Sequence, residues 1–451
     1  MLQLLAFWRV ARLPAVCVVL AVASCALSLS AQDTGPLTIP RPAPVRLADP
    51  ALEDAELQPE NYDGQSYARY DEPPPPLDNW NPTWMPCQSL RYNRSLVLGH
   101  LWFGMDIMGW ATKGVQTPAL VTTSPIGTDI LDAGVLGPAS TTTLFGNEFI
   151  HNEMRPGGRL TIGWWFDVDQ YTGFEWHYLE LDGKNIRFDA DETTGNGILV
   201  RPIVDADSGL NASVPIAFPG VLDGDIRILS NLQLTSTGIV FRDLLWGTPI
   251  ARVDYLVGYR HAHLYDNLDV SESLVSLDDS SGFTADDVVL REDNFRAVNQ
   301  FDGADLGLKA WWSTNRKLAI TGLAKVAVGA CNQNVIIDGF TRVNSGGMIT
   351  TTNGGVLAQP SNIGRRANQE FGIVSEVGLG LEWTPGCQWH FNLGYTWLYW
   401  SDVARAMNQV DTTVSVDQLA PANGSGTRPA FDLQTTSFWA QGLTAGFSYQ
   451  F

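Results

Sequence analysis

The last ten residues of the chain alternate between apolar and small or polar side chains. Leu443, Ala445, Phe447, Tyr449 and Phe451 occupy every second position, with glycine, threonine, serine and glutamine between them. Successive side chains of a β-strand point to opposite faces, so this period of two predicts a strand with one apolar face. An apolar edge strand invites aggregation in water, which favours the closing strand of a membrane barrel. A soluble sandwich that happens to end in Phe is the alternative.

The same alternation recurs from residue 95 onward. Weaker strands near 96–108 and 238–246, together with the terminal one, bring the number to ten. Hidden hairpins, for instance around Ile226 to Leu234, would raise it toward twelve. The predicted outward faces of the clear strands are Leu160, Ile162, Trp164, Phe166 and Val168; Phe174, Trp176 and Tyr178; Val253, Tyr255, Val257 and Tyr259; Leu306 and Leu308; Ile320, Ala324, Val326 and Val328; Ile373, Val377, Leu379 and Leu381; and Trp389, Phe391, Leu393, Tyr395, Trp397 and Tyr399.

The predicted connections alternate between long and short. The long ones are 109–157, 182–237, 261–302, 331–370 and 401–436, and tight turns of a few residues separate them. This alternation is typical of all-β, up-and-down antiparallel transmembrane β-barrels, with short periplasmic turns and long outer loops. Tryptophans near the predicted strand ends indicate an interfacial girdle, because such rings prefer the headgroup region. These are Trp311, Trp312, Trp383 and Trp389 at the turns, with Tyr399 and Trp400 at the far side.

The N-terminus predicts export. Arg9 and Arg12 precede an apolar stretch, Leu13 to Leu29, in the order of a secretory signal peptide covering residues 1–30. The stretch is short for a transmembrane helix, which needs about 20 apolar residues. Cys25 also fits a lipoprotein cleavage site, and ordinary cleavage after Ser30 is the favoured alternative.

Residues 31–83 are rich in proline and acids and have no apolar period, which predicts a disordered periplasmic arm before a barrel at 84–451. The formal net charge is −20. Residues 33–82 hold ten acids and three bases, and residues 266–293 hold nine acids and one base, so much of the charge lies there. The acidic segment 266–293 is expected to be a solvated loop, and the balance speaks against nucleic-acid binding.

Inward-facing charged residues are candidates for lining a pore. They are Arg159, Asp167, Glu175, His177, Asp254, Arg260, Lys325, Glu376 and Glu382. Their alternative role is structural, as charges that pair with one another inside a filled barrel.

Other candidate chemistry is weak. His261 and His263 share a strand face but have no third metal ligand, and neither Asp167 with Asp169 nor Asp205 with Asp207 has the loop order of an EF-hand. No catalytic, cofactor or metal motif is evident, so the sequence predicts a non-enzyme without a cofactor. An outer-membrane hydrolase whose triad is dispersed along the sequence is the alternative. Outside the signal, Cys87 and Cys387 both fall at the periplasmic side, which permits a Cys87–Cys387 disulfide. Three free thiols, including Cys331, are the alternative.

Several segments resemble the putative beta-barrel porin-7 family of planctomycete outer membranes. Its most distinctive signature is similar to residues 394–405 and 408–411. Further similar segments are 118–125, 134–137, 142–146, 157–160, 163–165, 258–260, 295–307 and 437–443. Ala406 and Met407 stand where the family tends to have Pro-Gly. The resemblance implies a porin by architecture and brings no catalytic residue. Phe447, Tyr449 and Phe451 resemble the signal that the barrel-assembly machinery reads in outer-membrane barrels.

The number of strands sets the width of the barrel interior, and so decides whether the resemblance to a porin family implies an open pore. About eight strands are filled by side chains and 16–18 leave a water channel, so ten to twelve predict a nearly closed interior. The leading expectation is an outer-membrane barrel with a narrow or gated path for small solutes. The alternative is a non-conducting surface or envelope-structural barrel whose long loops bind an external partner. Outer-membrane lipid and the assembly machinery are the other expected partners.

Overall fold

The structure is a computed structural model that describes residues 100–451, except 168, 193–196, 316, 423 and the side chain of Lys184. The predicted signal peptide, the acidic arm and Cys87 lie outside the described residues and stay predictions. Within the described part of the chain, no helix is long and apolar enough to cross a membrane.

Ten long antiparallel strands in the described residues form a closed ring. They are β1 Leu101–Thr112, β2 Met154–Trp165, β3 Thr172–Asp191, β4 Leu222–Gly247, β5 Ala251–Ser276, β6 Val288–Asn315, β7 Leu318–Ser345, β8 Gly364–Trp383, β9 Trp389–Ala404 and β10 Thr435–Gln450. Each strand pairs with the next one in sequence, and β1 pairs with β10, Trp102 opposite Gln450. Ring closure satisfies the backbone groups that lipid cannot. The predicted up-and-down β-barrel is confirmed.

An apolar belt surrounds the part of the barrel nearest the short turns, which we call the turn end. Outward side chains such as Leu308, Val326 and Leu393 are exposed there, whereas their neighbours on the opposite parity, such as Asp305 and Lys325, are buried. A transmembrane β-strand needs about 9–11 residues, which is the extent of this belt along a strand. The predicted outward and inward faces are therefore confirmed in the turn-end half, except past the end of β2 at Trp165, where Val168 lies outside the described residues.

The strands continue well beyond the belt toward the long loops, at what we call the loop end. β6 and β7 each have 28 residues, and at about 3.4 Å per residue and a tilt of about 45° each rises roughly 65 Å. The predicted loops 182–237, 261–302 and 331–370 are thus largely strand, and Ile226 to Leu234 belongs to β4 rather than to an extra hairpin. The apolar face inverts there: Ile228, Leu268 and Val335 are buried inside.

The acidic segment 266–293 is only partly the solvated loop that was predicted. It forms the end of β5, a connection over 277–287 in which Asp278, Asp279 and Asp286 are exposed, and the start of β6. Asp266, Glu272 and Asp293 are buried inside the barrel wall. Arg201 pairs with Glu272 at 2.8 Å and with Asp293 at 2.5 Å, so these acids hold loops rather than face water.

The remaining loops fill the loop end and form what we call the head. A five-stranded sheet joins Val121–Thr123, Thr142–Phe145, Leu199–Asp205, Asn211–Ala217 and Thr413–Val414. Loop residues Val121, Leu357 and Met407 pack in one buried cluster with Phe295 and Ile337 of the tall strands. Asp293 also accepts backbone N–H groups of Val356 at 2.9 Å and Ala358 at 2.8 Å. The head is therefore anchored to the inner wall by both apolar and polar contacts.

Candidate functional site

The turn end of the lumen carries an arginine–tryptophan cluster. The guanidinium groups of Arg242 and Arg252 both contact the ring of Trp165, at 4.7 and 5.0 Å from its centre. Asp254 accepts from both arginines, at 2.6 Å from each Nε. Alternation places these four side chains inside. Each one has the opposite parity to the outward apolar residues of its own strand, β2, β4 or β5. Glu175 extends the network, accepting from Arg242 and from Lys309 at 3.1 Å.

A second ionic network lies further from the turns. Glu376 on β8 accepts from Arg159 at 2.5 Å and from Arg260 at 2.9 Å, and thus links β2 and β5 across the lumen. Asp305 accepts from Arg260 at 3.2 Å and from Lys325 at 2.6 Å. Each buried charge has an opposite partner, which is the condition under which charges are tolerated away from water.

A cavity of about 240 Å³ lies in this polar part of the lumen. Its wall includes Arg159, Glu175, His177, Lys325, Glu376 and Glu382, together with hydroxyl groups of Thr161, Thr321, Thr396, Thr444 and Ser448. Asn392 also lines it and donates to Asp106 at 2.9 Å. Because the charged groups are already paired, the hydrogen-bonding capacity left for a guest is mainly neutral.

An apolar layer crosses the lumen on the loop side of the charged networks. Phe301 and Trp400 meet edge to face, with 6.1 Å between ring centres, and Trp110 and Phe438 are equally buried. Leucines of β3, β4, β5 and β9 complete the cluster with Met108, Cys331 and Val374. Trp400 therefore belongs to the interior, and its predicted place in the interfacial girdle is wrong. Its neighbour Tyr399 is on the outward parity, which explains the error.

Polar contacts between the apolar layer and the head fix two loops to the wall. Arg405 is buried, donates to Asp266 on β5 at 2.5 Å and also reaches the carbonyl of Lys113 at 3.2 Å. His151 Nε2 lies 2.7 Å from Ser230 Oγ, and Arg155 donates to the other ring nitrogen. Burial, together with the charges of Arg155 and Arg405, lowers the pKa of His151 to about 2. The imidazole is consequently neutral.

The structure brings most of the predicted pore-lining residues together. Asp254 and Arg260 are inside but are enclosed in ion pairs rather than in the cavity wall. Asp167 is a correction: β2 ends at Trp165, and the Asp167 carboxylate caps the following turn by accepting from the backbone of Tyr171 at 2.9 Å and Thr172 at 2.8 Å. The remaining six line the cavity.

Several charged residues of the two ionic networks were not among the predicted pore-lining residues. Arg242 lies in the strand whose alternation was weakest, and Arg252 precedes the first clear apolar position of β5. Asp305 and Lys309 have the inward parity, which was the available signal. No sequence pattern indicates that Asp305 pairs with Lys325 of the neighbouring strand or that Lys309 reaches Glu175 across the lumen.

The other residues considered as metal ligands do not come together in a metal site within the described residues. His261 and His263 lie on the outer surface in the middle of β5, not at a loop entrance, and His261 pairs with Asp302 at 2.8 Å. Asp205 caps its own turn by accepting from Ser208 at 2.6 Å. Among the residues that the structure describes, no group of three or more histidines, cysteines or acids is arranged to hold a metal. Cys331 is free and buried, and Cys387 is disulfide-bonded. Its predicted partner, Cys87, is outside the described residues.

Comparison of the fold finds weak similarity to solved outer-membrane proteins. The outer-membrane protease OmpT from Escherichia coli gives a TM-score of 0.37 at 10% identity, covering 79% of this chain and 98% of that one. A FadL homologue from Pseudomonas aeruginosa gives 0.22 at 7% identity, covering 82% and 95%. The Pseudomonas putida toluene transporter TodX gives 0.21 at 8% identity, covering 82% and 94%.

Comparison of the sequence is decisive for the family. No curated protein has a significantly similar sequence. The profile of the family described as Putative beta barrel porin-7 matches residues 102–451, which includes every strand of the ring except the first residue of β1. The chain therefore belongs to the putative beta barrel porin-7 family of porin-like outer-membrane β-barrels.

Proposed function

We propose that this protein is a closed outer-membrane barrel that presents its head outside the cell as a rigid platform, without a standing pore. One observation carries the proposal: the apolar layer around Trp110, Phe301, Trp400 and Phe438 fills the lumen. Ions do not cross a packed apolar layer, because a buried charge without a partner costs far more than thermal energy supplies. The head adds a second obstruction.

The cavity supports a second candidate, a gated path. It provides a polar compartment of about 240 Å³, large enough for several waters or one small molecule. Since its charged groups are paired, a small neutral polar solute fits this lining better than an ion. Passage would require the apolar layer to separate, so this function differs from the first in needing a second conformation.

Conductance of the refolded full chain in a planar lipid bilayer tests the proposal. A closed barrel gives insertion without steady conductance across the accessible voltage range. Stepwise openings of uniform size in the unmodified protein would contradict it and favour the gated path. Heat-modifiable migration of the same sample shows that the inserted protein is folded. Because the head is a second obstruction, the contribution of the layer is tested with Trp400→Ala and Phe438→Ala in combination with a change that loosens the head.

A further inference from the structure

A short hairpin projects from the loop end of β7. Met348–Asn353 pairs with Phe340–Ser345 around the turn Gly346-Gly347, both of whose φ angles are positive, at 57° and 92°. Only one side of this strand is used, because in the described sheet it is the terminal strand next to β7. Five of its six residues are exposed.

The free backbone groups of the hairpin follow from the turn. A two-residue turn with two positive φ angles places the flanking residues, Ser345 and Met348, in a hydrogen-bonded pair. Such pairs alternate with non-bonded ones along an antiparallel ladder. The N–H and C=O groups of Ile349, Thr351 and Asn353 therefore point away from β7. They form a row of donors and acceptors that another strand can occupy.

The ring has two longer unpaired strand edges, and both carry charges. β8 pairs with β9 only from Val374 to Trp383, and the unpaired part of its edge contains Arg365, Arg366 and Glu370. β3 pairs with β2 only up to Leu181, and beyond it come three acids and two bases through Asp191. Charges on an edge discourage another strand from pairing with it.

Met348–Asn353 has the opposite character. Its sequence, Met-Ile-Thr-Thr-Thr-Asn, holds neither a charge nor a proline, and its register with β7 is continuous. Met348 and Ile349 are 74% and 64% exposed, on opposite faces of the hairpin, so a strand added here would cover apolar surface on both faces. Of these three edges of the ring, Met348–Asn353 is the one without a charge that would discourage pairing.

We propose that Met348–Asn353 is the docking edge for an extended, uncharged polypeptide strand of another protein, which binds by β-strand addition. A second copy in the same membrane fits less well. The two-fold axis of an antiparallel strand pair is perpendicular to the sheet, here the barrel wall, and would turn one copy upside down. This inference rests on the proposed function, in which the head is an external platform, and names the class of protein that binds there. Binding of a peptide is measured independently of conductance.

The first test uses a capped, fluorescein-labelled peptide of alternating threonine and valine, six residues long, titrated into the refolded full chain in detergent. Its matched control is the same peptide with alternate backbone nitrogens methylated. The unmethylated peptide is expected to bind and to protect the amides of Ile349, Thr351 and Asn353 from hydrogen exchange. Absence of binding, equal binding of the methylated peptide, or protection of those amides before the peptide is added would overturn the proposal.

Protein variants locate the site. Thr351→Pro removes one free donor while leaving the β7 ladder intact, and Thr351→Lys adds the kind of charge found on the other edges. Each is expected to weaken binding by about tenfold, the scale of one or two net hydrogen bonds. Gln369→Lys on the charged edge of β8 is the matched control and should change nothing. Equal effects of the Thr351 and Gln369 changes, or a disulfide-linked dimer of Thr351→Cys in membranes, would contradict the assignment.

Discussion

At the scale of single residues, whether a side chain faces lipid or the lumen decides how well its position tolerates a charge. Leu393 is outward and 55% exposed in the apolar belt, whereas Asn392 lines the polar cavity beside Asp106. Leu393→Arg should lower the free energy of unfolding by about 2–4 kcal/mol, as for arginine near a bilayer midplane. Asn392→Arg should be much milder, because Asp106 can accept from it. Urea unfolding in lipid vesicles measures both, and equal losses would mean that the outer face does not meet lipid.

His151 predicts a dependence of stability on pH. Its pKa is about 2 in the folded state against an ordinary 6.5, because burial, Arg155 and Arg405 all disfavour the imidazolium. Below pH 6.5 the unfolded chain binds a proton that the folded chain does not, so stability falls as pH falls, by at most about 1.4 kcal/mol per pH unit. His151→Gln should remove this slope between pH 6.5 and 5, where most carboxylates stay ionised. Unfolding free energies across that range provide the check, and an unchanged slope in the variant would show that other groups cause it.

The ionic residues also show what sequence reasoning can reach at this scale. Parity placed Glu376, Arg260 and Lys325 inside correctly, since an outward charge in the belt would face lipid. It could not predict that Glu376 joins Arg159 to Arg260, because these three residues come from strands far apart in sequence. Asp167 was misplaced because alternation was extended two residues past the end of β2.

At the scale of elements, the turn-end half of each strand was predictable and the loop-end half was not. Lipid requires apolar side chains outside, which makes the alternation of β7 from Ile320 to Val328 clear. Beyond the belt the outer face meets water and the inner face meets the head, so the apolar positions change sides, as at Val335 and Ile337. The pattern of outward apolar residues therefore stops at the edge of the belt. Beyond that point the sequence predicts loops, although the strands continue.

The closing strand gives a prediction about assembly. Phe447, Tyr449 and Phe451 are on the outward parity of β10, and all three rings approach Phe103 of β1, with ring centres 5.9 to 6.2 Å apart. Deletion of Phe451 should reduce insertion into the outer membrane, because it removes the terminal aromatic of this strand, whereas Phe451→Tyr should preserve it. The fraction of heat-modifiable protein in membranes measures the effect. A normal folded yield after deletion would leave the C-terminal residue without a role in assembly.

At the scale of the whole molecule, the lumen is obstructed twice. The apolar layer consists of strand residues, including Trp400 and Phe438, and the head consists mainly of loops held to the wall by contacts such as Arg405 with Asp266. No sequence pattern predicts this arrangement, because both obstructions depend on contacts between distant strands and loops. Since the two lie one after the other along the same path, conduction needs both to open.

Combined variants test this arrangement of two barriers. Trp400→Ala with Phe438→Ala opens the layer but leaves the head in place. Asp266→Asn loosens the head, because it leaves the buried Arg405 without its charge partner. The loss of this partner is expected to cost about 3–5 kcal/mol of stability. Neither change alone should give steady conductance in a planar bilayer, whereas the triple variant should conduct. Thr128→Ala, in an exposed turn of the first long loop, combined with the layer changes, controls for the additional mutation. If the layer variant alone conducts as well as the triple variant, the head does not seal the lumen and the apolar layer is the single barrier.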